Sequence, residues 1–303
     1  MALDADMIVD RRRLKRRLTF WRLLAVAAVA AAVLAAVGRF GINPFAPYVA
    51  RLNVDGIIFD DSRRDDLLTD LADDGRVKAL LVAIDSPGGT VTGGEILYSR
   101  LREIAERKPV VAVMGGTATS AGYMTAIAAE RIFARAATIT GSIGVILQTA
   151  DVTELLEKIG IKPETFKSGP LKAQPNPMEK TTPEARKATQ DLVAEMHAMF
   201  VGMVAERRAL PREKVLELAD GRVFSGRRAV DLGLVDAIGG EAEARSWLAE
   251  NREIPEDLPT KTVEVRRERE WLKDLIEGSV GKALFSERLR LDGLISVWHP
   301  VGW

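Results

Sequence analysis

Ser120 lies in Gly115-Gly-Thr-Ala-Thr-Ser120-Ala-Gly-Tyr123, a run of small residues that predicts a turn between an apolar strand and a helix. A serine so placed projects from the strand end, beside the N–H groups and positive dipole of the helix start. It could act as a nucleophile there, or serve simply as the N-cap, for which serine is a preferred residue. A nucleophilic serine needs a base, and the chain has two histidines and no cysteine. His197 falls inside a long helical pattern, where a packing role is expected, and His299 lies five residues from the C-terminus. Scarcity of histidine turns the search toward a serine–lysine pair and an unusual class of hydrolase. Lysine can serve as base only as a neutral amine, so its pKa must fall from roughly 10.4 toward about 7, about 4–5 kcal/mol against the charged form. Burial among apolar groups supplies such a shift. Lys172 lies 52 residues after Ser120, in Phe166-Lys-Ser-Gly-Pro-Leu-Lys172. Composition by itself leaves Lys162, Lys167 and Lys172 all open.

A second element is Asp85-Ser-Pro-Gly-Gly89, directly after the apolar run Ala79–Ile84. Two glycines beyond a buried strand leave the backbone bare, so its N–H groups can approach a ligand, although an ordinary tight turn fits equally. Together with Ser120 this makes a candidate oxyanion hole, with the Gly89 N–H and a helix-start N–H at Ala121 as donors. The chemistry requires no metal and no cofactor.

The elements that must position these groups alternate between strand and helix. Strands are expected at Val49–Phe59, Ala79–Ile84 and Pro109–Met114, with further strands in Arg131–Ile146 around the Thr140–Gly144 turn. Helices are expected at Ser62–Ala72 with Ser62 as N-cap, at Gly93–Glu106, Ser120–Ala129 and Asp151–Ile159, and over Thr182–Arg208. This alternation implies an α/β fold with a mostly parallel sheet covered by helices.

Lys+Arg and Asp+Glu balance at 43 each in 303 residues, so global charge makes no case for nucleic acid. The local distribution is uneven. Seven basic residues and no acid lie between Arg11 and Arg22, followed by the uninterrupted apolar run Leu23–Val37. Residues 20–42 are long enough to cross a bilayer, which needs about 20 residues. The basic flank keeps the N-terminus cytoplasmic and the rest outside. A cleaved signal peptide and a buried core helix are the competing readings. The resulting organisation is a basic cytoplasmic segment (1–19), a transmembrane anchor (20–42), a catalytic domain (49–250) and a C-terminal extension of unassigned role (251–303).

Five stretches, taken in order, carry a resemblance: Asp85-Ser-Pro-Gly-Gly89, Thr119-Ser-Ala-Gly-Tyr123, Thr140-Gly-Ser-Ile-Gly-Val145, Phe166-Lys-Ser-Gly-Pro-Leu-Lys172, and Gly221-Arg-Val-Phe-Ser-Gly226 with Gly233-Leu-Val-Asp236. Over roughly residues 49–248 the chain resembles the signal peptide peptidase A (protease IV) family of membrane-bound serine peptidases, in its short bacterial form. The resemblance implies Ser120 as nucleophile, Lys172 as general base, Ser142 as the hydroxyl that orients the lysine, and the Gly89 N–H facing the oxyanion. It also implies a Clp-protease/crotonase-like fold of stacked ββα units and a membrane-bound homo-oligomer in which Ser120 meets Lys172 of a neighbouring subunit. Its substrates would be remnant signal peptides and other apolar peptides. The alternatives are an inactive membrane scaffold of the same fold and, less favoured by the membrane segment, a crotonase-type acyl-CoA enzyme.

Overall fold

A computed structural model describes residues 15–29, 46–265 and 295–297. Residues 15–29 are helical. Among the described residues no helix is long and apolar enough to cross a membrane. The second half of the expected span, residues 30–42, and His299 lie outside the described residues. Pro47–Trp303 forms a unit separate from Met1–Ala46.

That unit is built on a mostly parallel sheet. Its strands are β1 (Tyr48–Ile58), β2 (Val77–Thr90), β3 (Val110–Thr119), β4 (Arg131–Ala134), β5 (Ile139–Gly141), β6 (Val223–Ser225), β7 (Ala237–Ile238), β8 (Thr260–Val263) and β9 (Ile295–Val297). The main path runs β6-β5-β3-β2-β1-β8, with β4 and β7 branching from β3 and β9 pairing with β2. Only the β5–β6 and β2–β9 pairs are antiparallel among the described strands. The helices are α1 (Ser62–Asp73), α2 (Val91–Ala105), α3 (Ala121–Ala126), α4 (Thr153–Lys158), α5 (Pro183–Arg208), α6 (Arg212–Leu218), α7 (Gly226–Asp231) and α8 (Glu241–Arg252). The expected α/β class and strand–helix alternation are both present.

The apolar run in β2 explains the layering. Leu80, Val82 and Ile84 pack in a large core with Leu97 and Leu101 of α2, Met124 of α3 and Phe200 and Val204 of α5. Ala79 and Leu81 point the other way, against Ala244 and Leu248 of α8. A strand buried on both faces must be apolar throughout rather than alternating. Fully burying each such leucine, valine or isoleucine contributes about 1.5–3 kcal/mol.

Several boundaries differ from the sequence expectation. The cap of α1 is Asp61, whose carboxylate accepts from the Arg63 N–H, rather than Ser62. Strand β2 does not stop at Ile84 but continues to Thr90, because β1 and β3 run on beside it: Ile57 pairs with Gly88, Ile58 with Gly89 and Ser86 with Ala118. The register slips between Ile84 and Ser86, and again in β1 between Asp55 and Ile57. Gly89 is required at this crossing, since a Cβ there would overlap the Ile58 carbonyl. Helix α3 ends at Ala126 rather than Ala129. The carbonyls just beyond it are taken by arginines: Arg207 donates to Ile127 and Ala129, and Arg102 to Ala128. Beyond residue 250, Thr260–Val263 adds β8 in parallel to the outer edge of β1.

One buried ionic knot ties α3 to the periphery. Arg208 holds Asp236 through two bonds of 2.7 and 3.2 Å and donates to the Gly233 carbonyl at 2.9 Å. Asp236 also accepts from the Ile132 N–H at 2.7 Å. The fully buried Tyr123 of α3 donates its hydroxyl to the Leu234 carbonyl at 2.9 Å, and burial pushes that hydroxyl's pKa up. Only 9 % of the Arg208 side chain and 18 % of the Asp236 side chain reach solvent, so removing one partner strands the other. Arg208→Ala should lower stability by about 3–5 kcal/mol in denaturant titration. A loss below about 1 kcal/mol would place the pair with exposed ion pairs instead.

Candidate functional site

Ser120 ends β3 and precedes α3, and its backbone is unusual: φ 58° and ψ −120°. That region is sparsely populated by residues with a Cβ and costs of order 1–3 kcal/mol. Two backbone bonds hold the conformation. The Ser120 N–H donates to the Gly141 carbonyl at 2.8 Å, and the Ser120 carbonyl accepts from the Met124 N–H at 2.8 Å. Although Ser120 stands at the N-cap position, its side chain makes no capping hydrogen bond. The simpler of the two sequence readings, a serine serving as N-cap, thus finds no capping bond here.

The neighbouring strand repeats the device. Thr119 of β3 pairs with Gly141 of β5, so Ser120 and Ser142 follow matched positions at adjacent parallel strand ends. Ser142 has φ 50°, follows Gly141 at φ 87°, and donates its N–H to the Arg222 carbonyl at 2.8 Å. A Cβ on Gly141 would press on the Phe224 ring at 2.7 Å, so glycine is needed there for space as well as for φ. Ser120 is 1 % and Ser142 8 % exposed.

The glycine segment arrives from the other side. Ser86 pairs with Ala118. A Cβ on Gly122 would lie 3.1 Å from the Ser86 carbonyl, so the first turn of α3 sits directly on this segment. Gly94 of α2 makes a similarly close crossing, with Ala121 Cβ 2.9 Å from where its own Cβ would be. Ala121, fully buried, opens α3, so its N–H is one of the first-turn donors that no carbonyl within the helix can accept. Gly89 is flanked by Ile58 of β1 on one side and, antiparallel, by Ser296 of β9 on the other.

Ser120, Ser142, Gly89 and Ala121 thus converge on one end of the sheet. The lysines do not follow them into that core. Lys172 is exposed, on a turn where its N–H donates to the Gly169 carbonyl at 3.1 Å and the next residue, Ala173, is left-handed. Lys162 is exposed on the same arm. Lys167 is engaged in an ion pair with Glu179, whose carboxyl it holds below the usual range. A lysine locked to a carboxylate is a poor proton acceptor, which leaves Lys162 and Lys172 of the three sequence candidates. His197 binds the Ala219 carbonyl at 2.8 Å through Nε2, a tie between α5 and the end of α6 that accords with a packing role.

Sequence reasoning missed the polar residues beneath the site. Thr119, Thr140 and Ser86 are all 0 % exposed. Thr119 Oγ1 donates to the Pro87 carbonyl at 3.0 Å, Thr140 Oγ1 to Ala118 at 2.7 Å, and Ser86 Oγ to Gly56 at 2.6 Å. Hydroxyls of this kind look like ordinary strand residues in a sequence; only their inward facing at adjacent strand ends marks them.

A mostly parallel α/β sheet with a strained serine between strand and helix, flanked by glycine backbone, is an arrangement that a hydrolase can use. Comparison with known proteins narrows the class. The family model for peptidase family S49 matches residues 102–255, and this chain belongs to that family, whose members are proteases. A Synechocystis protein that carries a protease name, slr0021, is 41 % identical over 202 residues, covering 66 % of this chain and 73 % of that protein. An Enterococcus faecium protein named for signal peptide peptidase SppA is 32 % identical over 275 residues, 84 % of this chain and 78 % of its own length. The chloroplastic serine protease SPPA of Arabidopsis thaliana is 34 % identical over 224 residues, but these cover only 32 % of that longer protein. The expected resemblance to the SppA family holds.

The strain at Ser120 has a measurable consequence. Replacement by glycine relieves about 1–3 kcal/mol of backbone strain and gives back about 0.5–1 kcal/mol in unfolded-state entropy. Ser120→Gly should therefore melt above Ser120→Ala by about 1 kcal/mol in matched denaturation curves. Equal stability of the two would mean that the strain is no larger than this entropy cost of about 0.5–1 kcal/mol.

Proposed function

We propose that the chain is a membrane-anchored serine endopeptidase in which Ser120 is the nucleophile and Lys172 the general base. The observation that carries this reading is the conformation of Ser120: strained, uncapped, at a buried strand end beside a second left-handed serine. Strain held at a turn between strand and helix is a recurring mark of nucleophiles. Ser120 Oγ attacks the scissile carbonyl while Lys172 takes its proton. The Gly89 and Ala121 N–H groups stabilise the oxyanion of the tetrahedral intermediate. Lys172 then returns the proton to the leaving amine as the C–N bond breaks, and water hydrolyses the acyl-enzyme. Ser142 orients the lysine amine.

In this reading the base comes from a second copy of the chain. Support lies in the contrast between a buried Ser120 and an exposed Lys172 on an arm with Ile159, Ile161, Phe166 and Leu171 all turned outward, Phe166 at 90 % exposure. Apolar side chains so exposed mark surfaces that meet another protein. A neighbouring subunit packed there would bring Lys172 to Ser120 and bury its amine, which favours the neutral form. The stacked ββα arrangement of Clp-protease and crotonase folds, which assemble in this manner, belongs to the same proposal. The basic segment before residue 23 and the apolar run after it would fix the assembly to the outer face of the membrane, where remnant signal peptides and other apolar peptides are the substrates.

Two mutants test the shared site together. Ser120→Ala and Lys172→Ala should each lose at least about a thousandfold in peptide cleavage, and co-assembly of the two should restore activity in mixed oligomers. Activity retained in Lys172→Ala sinks the assigned base; two dead variants with no restoration sink the sharing between subunits.

The pairing of β9 supports an extended peptide as ligand. Val297, Ser296 and Ile295 lie antiparallel to Gly88, Gly89 and Thr90, so this edge accepts an added strand. If substrate uses the same edge, β9 must leave it first. Ser296→Pro in the full chain disfavours that strand and should lower KM by about twofold or more, since a competing occupant reduces apparent affinity by the fraction it blocks. An unchanged KM would mean that substrate takes another path.

A further inference from the structure

The oxyanion hole requires two N–H groups on different segments of the chain, Gly89 on β2 and Ala121 at the start of α3. Their separation depends on whatever fastens residues 86–89 to residues 119–122. We propose that Thr119 is the positioning residue that sets this separation, with Ser86 bracing the same segment from below. The inference rests on the peptidase reading of Ser120 given above.

Thr119 immediately precedes the nucleophile, and its Oγ1 donates to the Pro87 carbonyl at 3.0 Å. Pro87 stands two residues before Gly89, so a single side chain links the serine's own strand to the donor segment. The bond is fully withdrawn from water, with Thr119 at 0 % exposure. A buried hydroxyl must find an acceptor, and a shift of the glycine segment would break this one. Ser86, also at 0 % exposure, works from the other side. Its Oγ donates to the Gly56 carbonyl at 2.6 Å and accepts the Gly88 N–H at 3.1 Å, holding Gly88 at φ 116°. The orientation of the peptide units on either side of Gly88 is thereby fixed. The first turn of α3 rests on the Ser86 carbonyl through Gly122. The β2 segment is therefore clamped between Gly56 and Thr119, and neither hydroxyl touches substrate.

Such a tie acts on the transition state more than on the ground state, because the donors must match the oxyanion and not the planar carbonyl. Thr119→Val keeps the shape and removes the donor. It should lower kcat by about tenfold to a hundredfold, less than outright loss of an oxyanion donor, with KM changed by less than about twofold. A peptide boronate, which forms a tetrahedral adduct on serine, should weaken in parallel with kcat, whereas binding of the same peptide as an uncleavable amide to a Ser120→Ala background should not. Thr119→Ser, which retains the hydroxyl, should recover most of the rate. Rates are referred to the Ser120 sites labelled by a fluorophosphonate, so partial unfolding does not mimic the effect. Should Thr119→Val fail to fold, Ser86→Ala asks the same question of the same segment, with the same expected split. Wild-type kcat per labelled site in the folded variant, or a loss confined to stability or KM, overturns the proposal. Ser120→Ala is measured alongside: if it stays active, the peptidase reading and this inference fall together, whereas a dead Ser120→Ala with a fully active Thr119→Val removes only the role of Thr119.

Discussion

The left-handed backbone at Ser120 is held by a hydrogen bond from its own N–H to the Gly141 carbonyl on the next strand. Much of the molecule is arranged so that this bond can exist. Strand β3 must run past the glycines at 115 and 116 to reach Thr119, and β5 must lie in parallel register beside it, with Thr119 opposite Gly141. Gly141 must be glycine, both for its φ and for the Phe224 ring against it. Helix α3 must start at once, so that the Ser120 carbonyl meets the Met124 N–H. The short helix is then anchored at its far end by Arg102 and Arg207 and through Tyr123 by the Arg208–Asp236 knot. Backbone strain of about 1–3 kcal/mol survives only where surroundings determine the conformation this fully.

Apart from the Arg208–Asp236 knot, the most deeply buried polar residues of the domain are of one chemical kind. Among the described residues, the buried polar side chains are Ser86, Thr90, Thr119, Ser120, Thr125, Thr138, Thr140 and Ser142, all hydroxyls. Most answer a backbone carbonyl: Thr138 that of Gly115, Thr140 that of Ala118, Thr119 that of Pro87 and Thr125 that of Ala121. A hydroxyl can satisfy a carbonyl inside a sheet at small desolvation cost, whereas a buried charge would need a partner. The outcome is a rigid site built from neutral groups. A cationic lysine would be poorly solvated in such surroundings and a neutral one comfortable, which is the condition a lysine base needs.

The arm between β5 and α5 is made on different terms. It holds one six-residue helix with no buried residue, several outward apolar side chains and the ion pair of Lys167 with Glu179. An element that buries so little within its own chain gains little stability from it, and exposed apolar side chains are a mark of surfaces that meet another protein. The proposed assembly gives it that role. In that proposal the core would supply nucleophile and oxyanion donors, and the arm would deliver a base between subunits.

Much of this was legible in order along the chain. The continuous apolar run at Ala79–Ile84 announces a strand buried on both faces, Thr182 followed by Pro183 announces the start of α5, and the shortage of histidine turns attention to lysine. Those features are local or compositional, so the sequence by itself determined the α/β class, the candidate nucleophile and the small set of possible bases. Other features depend on which strands lie side by side. The continuation of β2 through Asp85–Gly89, the inward hydroxyls of Ser86 and Thr119, and the paired left-handed serines at 120 and 142 all arise from register across β1, β2, β3 and β5. Register is a relation between residues tens of positions apart, set by the packing of whole faces. For that reason only the tertiary structure decided that Ser120 would be strained and uncapped, that Lys167 would be taken by Glu179, and that Lys172 would stand exposed on the arm.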